Sequence, residues 1–132
     1  NDVLADHVAT EYLTFAYAAG AQGRALLAAH LPEPVDEPTL QRCWPDPDLL
    51  ETTLSAVEVG PADTSRPEAG STLTIRYWAG LDPGQYREGG PDDNRVEARL
   101  RATGLHQWVV LGTTPAGPPG CPPGLPPPVS PR

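Results

Sequence analysis

The hydrophobic pattern of this chain changes its period once, near residue 50, and that change limits the possible folds more than any other feature. Before it, apolar side chains recur at helical spacing, and Val8, Tyr12, Phe15, Ala16 and Ala19 fall on one stripe. After it, apolar and polar residues alternate, as they do in strands with one buried face. Helices followed by a run of strands predict an α+β domain.

The N-terminal part predicts two helices and a helical turn. The first helix is expected over the amphipathic segment DVLADHVATEYLTFAYAAG, with Asp2 capping its start and Gly20 ending it. A shorter helix is expected over AQGRALLAAHL, where the prolines that follow stop it. One helical turn is expected at residues 39–44, capped by Thr39 and ended by Pro45.

Four later segments predict strands, namely LSAVEVG (54–60), STLTIRYWAG (71–80), RVEARLRAT (95–103) and HQWVVLGT (106–113). Their connections carry proline, glycine and aspartate and have no room for crossover helices, so neighbouring strands should pair antiparallel. The TGLH segment is short enough for a hairpin turn. The last strand is apolar on both faces, which predicts a central position in the sheet.

The chain has 132 residues and a formal net charge of −8, and all of its basic residues are arginine, a usage typical of GC-rich genomes. We expect one folded domain over residues 1–114 and a Pro/Gly-rich tail over residues 115–132. The negative charge argues against a nucleic-acid partner, because phosphate contacts need clustered basic side chains. No apolar run is long enough to span a membrane, so we expect a truncated or processed chain whose membrane anchor lies outside this sequence.

The two cysteines, Cys43 and Cys121, suggest a compartment. A free thiol within a proline-rich tail would be a liability in a reducing environment, whereas a disulfide would tie the tail back to the turn near residue 43. We favour the disulfide over two free thiols, and with it a location outside the cytosol. We expect no zinc site, since the sequence has no CxxC or HxxxH spacing.

The order of these elements resembles the nuclear-transport-factor-2-like (cystatin-like) superfamily over roughly residues 3–114. The segments that carry the resemblance are ATEYLTFAYAAG and RALLAAHL at one end and HQWVVLGT at the other. The resemblance implies a curved sheet around a long first helix, forming a cone with a pocket. The superfamily includes small enzymes of the ketosteroid-isomerase and dehydratase types. It also includes extracytoplasmic domains of conjugation and secretion membrane proteins, many of them actinobacterial, and fold alone does not choose between these roles.

No catalytic arrangement emerges from the residues, and we expect neither a cofactor nor a metal. Tyr12, Tyr17 and Tyr77 would face the pocket that the resemblance implies, where a tyrosine can donate a hydrogen bond to an oxyanion. The carboxylates, however, fall in loops or on polar strand faces. Tyrosines in such positions are more often core residues whose hydroxyl is satisfied by a neighbour.

Trp78 and Arg76 lie on the polar face of their strand, and aromatic residues beside arginine are enriched where proteins meet. Burial of Trp78 beneath another strand or beneath the tail would explain its place on this face equally well. The leading interpretation is a non-catalytic extracytoplasmic domain of a membrane-anchored protein, which binds a protein partner or another copy of itself. The alternative is a small cavity enzyme or ligand-binding protein of the ketosteroid-isomerase or dehydratase type.

Overall fold

The computed structural model describes residues 2–17, 20–43, 53–60, 70–80, 95–114, 120–122 and 124–125. Its elements are α1 (Asp2–Tyr17), α2 (Gly20–Ala28), α3 (Glu37–Cys43), β1 (Thr53–Val59), β2 (Ser71–Gly80), β3 (Arg95–Gly104) and β4 (Gln107–Thr114). The described strands form one antiparallel sheet in the order β1-β2-β3-β4. The predicted α+β class with antiparallel strands is therefore confirmed.

The apolar stripe of α1 faces the core, as its spacing predicts. Val8, Tyr12 and Ala16 are buried, and Phe15 is partly buried against them. Ala19 lies outside the described residues. Gly20 is the first residue of α2, so the glycine expected to end the first helix begins the second one instead.

The third helix is longer than the single turn predicted, and its cap is a different residue. The Asp36 carboxylate oxygen Oδ1 accepts a hydrogen bond from the Thr39 backbone N–H at 2.9 Å, and the Asp36 carbonyl accepts one from Leu40 at 3.0 Å. Asp36 is therefore the N-cap, and the prediction of Thr39 in that role is wrong. The hydrogen bond from Thr39 lowers the pKa of Asp36. Leu40 and Cys43 are buried in the core.

The sheet has one buried face and one partly exposed face, as strict alternation requires. The buried residues of β2 and β3 belong to one core with α1, and they are Leu73, Ile75, Tyr77, Val96, Ala98, Leu100 and Ala102. Arg76, Glu97 and Arg99 lie on the opposite, outer face. The β3–β4 hairpin turns at Leu105 and His106, as predicted.

The position predicted for the last strand is wrong, because β4 stands at the end of the described strand order. Chain segments from outside the sheet lie along its edge. The Val110 backbone N–H donates to the His30 carbonyl at 2.8 Å, and the Thr113 hydroxyl donates to the Leu125 carbonyl at 3.3 Å. The segment after α2 and a piece of the Pro/Gly-rich tail therefore protect this edge.

The tail contributes to the core at Leu125, which is only 3% exposed. Gly124 makes this approach possible, because its φ of +100° is a conformation that other residues rarely adopt. A methyl group there would lie 2.8 Å from the Val110 carbonyl oxygen and 2.9 Å from Leu31 Cδ2.

Gly124→Ala should lower the free energy of unfolding by about 2 kcal/mol, from backbone strain and overpacking together. Gly120→Ala is the matched control: its φ is also positive, at +84°, but among the described residues a methyl group there would meet only Arg42 Nη1, at 3.9 Å. It should cost about 1 kcal/mol from strain alone. Urea denaturation of both variants makes the comparison, and equal losses would contradict the packing of the tail on β4.

Candidate functional site

The three tyrosines predicted to line a pocket meet in the core between α1 and β2. The Tyr77 hydroxyl lies 2.7 Å from the Tyr17 hydroxyl and 3.1 Å from the Tyr12 hydroxyl. The Tyr17 and Tyr12 rings each meet the Tyr77 ring edge to face, with centroids 5.6 Å and 6.4 Å away. Burial raises the pKa of all three hydroxyls, so each stays protonated and able to donate at neutral pH. Their role as pocket-lining residues stays a prediction.

The outer face of the sheet carries an ionic row across β2 and β3. Arg76 Nε donates to Glu97 Oε2 at 2.9 Å, and Arg99 Nη1 lies 3.8 Å from the other oxygen of the same carboxylate. Arg99 also donates to the Thr114 hydroxyl at 2.9 Å. The side chain of Trp78, the other residue of the predicted interface, lies outside the described part of the structure.

An open groove of about 540 Å³ crosses this face. It is lined by two arginines of the ionic row, Arg76 and Arg99, and by polar and apolar residues that include Gly60, Thr72, Thr74 and Leu111. Arginine guanidinium groups beside apolar carbon suit recognition of a polypeptide that carries carboxylates. This groove is the candidate interaction surface.

Cys43 and Cys121 are paired, as predicted. Their sulfur atoms lie at disulfide-bonding distance, and their Cα atoms are 5.7 Å apart. The pair joins the end of α3 to the tail, shortly before Leu125 enters the core. Such a pair fits an oxidising compartment, because cytosolic thiols are kept reduced.

A fourth arrangement, which the sequence did not reveal, joins α1 to the β3–β4 hairpin. Glu11 Oε2 lies 3.3 Å from His7 Nε2 and accepts a hydrogen bond from His106 Nδ1 at 2.8 Å. The same two histidine nitrogens are 3.5 Å apart. Two imidazoles and a carboxylate therefore converge on one small volume at the protein surface, and together they offer three ligand atoms to a metal ion.

Trp108 positions the Glu11 carboxylate of this cluster. Its indole Nε1–H donates to Glu11 Oε1 at 2.8 Å, so one carboxylate oxygen is bound to the tryptophan while the other faces the histidines. The His30 ring stacks on Trp108 with centroids 3.8 Å apart and planes 7° from parallel, and its Nδ1–H donates to the Trp108 carbonyl at 2.7 Å. Phe15 stacks on Trp108 as well.

The Glu11 side chain is held in its ionised form. Burial acts to raise its pKa, but hydrogen bonds from Trp108 and His106 and the nearby histidine charges outweigh burial, so the pKa is lowered. A surface cavity of about 360 Å³, lined by His30, Arg101 and His106 among others, adjoins the cluster.

Only half of this arrangement is local in sequence, and it was not predicted as a site. His7 and Glu11 stand one helical turn apart on the polar side of α1, a spacing that brings side chains together. His106 is 95 residues further along than Glu11, and only the folded sheet places the hairpin turn beside α1. Local motif spacing therefore could not include it.

Comparison with protein-family models, with curated proteins and with solved structures found no match to this chain. Within the described residues, no helix has the length and apolar character needed to cross a membrane.

Proposed function

We propose that this chain is a non-catalytic interaction domain on the extracytoplasmic side of a membrane, within a membrane-anchored protein of the conjugation or secretion type. The groove on the outer face of the sheet is the observation that carries the proposal. It is open, it carries charge, and no described segment covers Thr74 or Arg76 completely, since both remain partly exposed. The Cys43–Cys121 pair supports the location.

The charge of this face indicates the chemistry of the partner. Arg76, Arg99 and Arg101 lie on this face with Glu97, and Glu58 of β1 is the register partner of Arg76, so arginines still outnumber carboxylates there, whereas the chain as a whole has a net charge of −8. A basic patch on an acidic protein favours an acidic protein segment as its partner. Opposite charges steer association, and like charges repel partners of the wrong sign. A second copy of this acidic chain would meet the same requirement.

We propose further that the fold is that of the nuclear-transport-factor-2-like superfamily, with the sheet curved into a cone around α1. The contacts of α1 support it, because consecutive residues of the helix reach two different strands. Tyr12 contacts Tyr77 on β2, and Glu11 binds Trp108 on β4. A sheet that wraps around a helix would place its strands in this way.

Site-specific photo-crosslinking tests the interaction proposal. A photo-crosslinking amino acid at Thr74, inside the groove, should give a discrete protein adduct in native cells, and the same amino acid at Gln41, exposed on α3, should not. Replacing Arg76 and Arg99 with glutamine should reduce the adduct at least fivefold, because these side chains supply the positive charge of the groove. Identical adducts from both positions, or an adduct indifferent to the arginine changes, would count against the proposal.

The tyrosine cluster favours a second candidate, a cavity enzyme or ligand-binding protein. Buried, protonated hydroxyls such as that of Tyr77 can donate to a developing oxyanion. Proton transfer would also need a carboxyl group beside them, and Glu11, the sequence neighbour of Tyr12, is bound to Trp108 and His106 instead. Saturable binding of 2-naphthol that Tyr77→Phe abolishes would favour this candidate, and no binding would dismiss it.

A further inference from the structure

We propose that His7, Glu11 and His106 form a binding site for a divalent transition-metal ion of the zinc type, where α1 meets the β3–β4 hairpin. The ligand atoms are His7 Nε2, Glu11 Oε2 and His106 Nδ1. This site is separate from the groove on the outer sheet face, and it does not depend on the function proposed for that groove.

The spacing of the three atoms matches the geometry that zinc requires. Bonds of about 2.0–2.1 Å in a tetrahedral site place neighbouring ligand atoms roughly 3.3–3.4 Å apart. The observed separations are 3.3 Å from His7 to Glu11, 3.5 Å between the two histidines, and 2.8 Å from His106 to Glu11. A small rotation of the exposed His106 ring would even out the three distances.

The surroundings of the cluster resemble the outer shell of a metal site. Metal-binding carboxylates are usually oriented by a hydrogen bond to the oxygen that does not bind the metal. Trp108 Nε1–H supplies that bond to Glu11 Oε1, and Trp108 is itself fixed by the stacked His30 ring. Glu11 is thereby held with Oε2 toward the histidines before any ion arrives.

The ligand set also indicates which ions would bind. Two imidazoles and one carboxylate suit zinc and its neighbours such as cobalt and nickel, whereas calcium and magnesium prefer sites made of oxygen atoms. Binding requires His106 Nδ1 to give up its hydrogen, and the ring can then carry the hydrogen on Nε2. The His106 side chain is 74% exposed, so a fourth position remains open to water or to a ligand from solution.

The three ligands come together only in the folded chain, because His106 follows Glu11 by 95 residues. Metal binding should therefore stabilise the native state and raise the melting temperature. The cysteines cannot supply an alternative site in the oxidised protein, since both are in the disulfide.

Calorimetric titration of the full, oxidised chain with Zn²⁺ tests the proposal. We expect one ion per chain and a higher melting temperature with zinc, and Co²⁺ should give the intense visible bands of a four-coordinate complex. His7→Ala, His106→Ala and Glu11→Gln should each weaken zinc binding at least tenfold. Glu11→Gln keeps an oxygen acceptor for Trp108, so it separates loss of the ligand from loss of that support.

Asp6→Asn is the matched control, because it removes an exposed carboxylate beside His7 that is no ligand, and it should change the affinity less than twofold. Circular dichroism checks that each variant folds. Should His106→Ala fail to fold, His7→Gln on the surface of α1 provides the same comparison. The absence of saturable zinc binding would overturn the proposal, and so would an affinity that is the same in the wild type and the folded histidine variants.

Discussion

Removal of the Cys43–Cys121 disulfide should lower the free energy of unfolding by about 4.5 kcal/mol. The two cysteines are 78 residues apart in sequence, and a crosslink that closes such a long loop removes much of the conformational freedom of the unfolded chain. The melting temperature should fall by roughly 15 °C. Since the free energy of unfolding of a native protein is only about 5–15 kcal/mol, the reduced protein would be marginally stable.

Matched variants separate the crosslink from the packing of the cysteines. Cys121→Ser changes a partly buried residue of the tail, and Cys43→Ala changes a residue that is 3% exposed, yet each alone removes the whole crosslink. The single variants, the double variant and the reduced wild type should therefore lose similar stability in urea denaturation. Unchanged stability after reduction would show that the crosslink does not constrain the unfolded chain.

Alkaline pH should destabilise the protein steeply from about pH 10 upward, because Tyr12, Tyr17 and Tyr77 are buried in their protonated form. Burial raises the pKa of each above the ordinary value of 10. Below pH 10 the tyrosines are protonated in both states, and their contribution to stability is fully present. Above pH 10 the unfolded chain loses protons that the folded chain retains, so the free energy of unfolding falls as pH rises toward the folded-state pKa values.

The expected slope approaches about 1.4 kcal/mol per pH unit for each tyrosine, or about 4 kcal/mol per pH unit for three. Tyr12→Phe removes one of the three groups and should reduce the slope to about 3 kcal/mol per pH unit. Urea denaturation at several pH values between 10 and 11.5 gives the slope. Tyrosinate absorbance at 295 nm shows whether the three side chains ionise only on unfolding, and their ionisation near pH 10 in the folded state would contradict the cluster.

The strands were predictable because their signal is local. Strict alternation in β2 and β3 identifies which residues of each strand are buried, and Ile75 and Leu100 are completely buried as the pattern predicts. The tail pairing was predictable for a different reason, since the chain has only Cys43 and Cys121 to pair. Neither inference needed knowledge of distant contacts.

The position of β4 and the histidine–glutamate cluster were missed for the opposite reason. Strand β4 has the pattern of a central strand because it is apolar on both faces, but the protection of its edge comes from His30 and Leu125, which belong to segments with no strand pattern. The candidate metal site is hidden in the same way. His7 and Glu11 form an ordinary helical pair, and the third member comes from a hairpin turn that only tertiary structure brings to them.

The packing of α1 on the sheet brings Glu11 and its neighbours to Trp108, and both the fold and the candidate metal site depend on it. Nuclear Overhauser contacts from the Trp108 indole protons test it most directly. The ring centroids of Phe15 and Tyr12 lie 6.0 Å and 6.3 Å from that of Trp108, so ring-to-ring cross-peaks to both residues are predicted. Glu11→Gln should also shift the indole N–H resonance, because that hydrogen bond would lose its charged acceptor. A Trp108 ring without cross-peaks to any α1 side chain would contradict this packing.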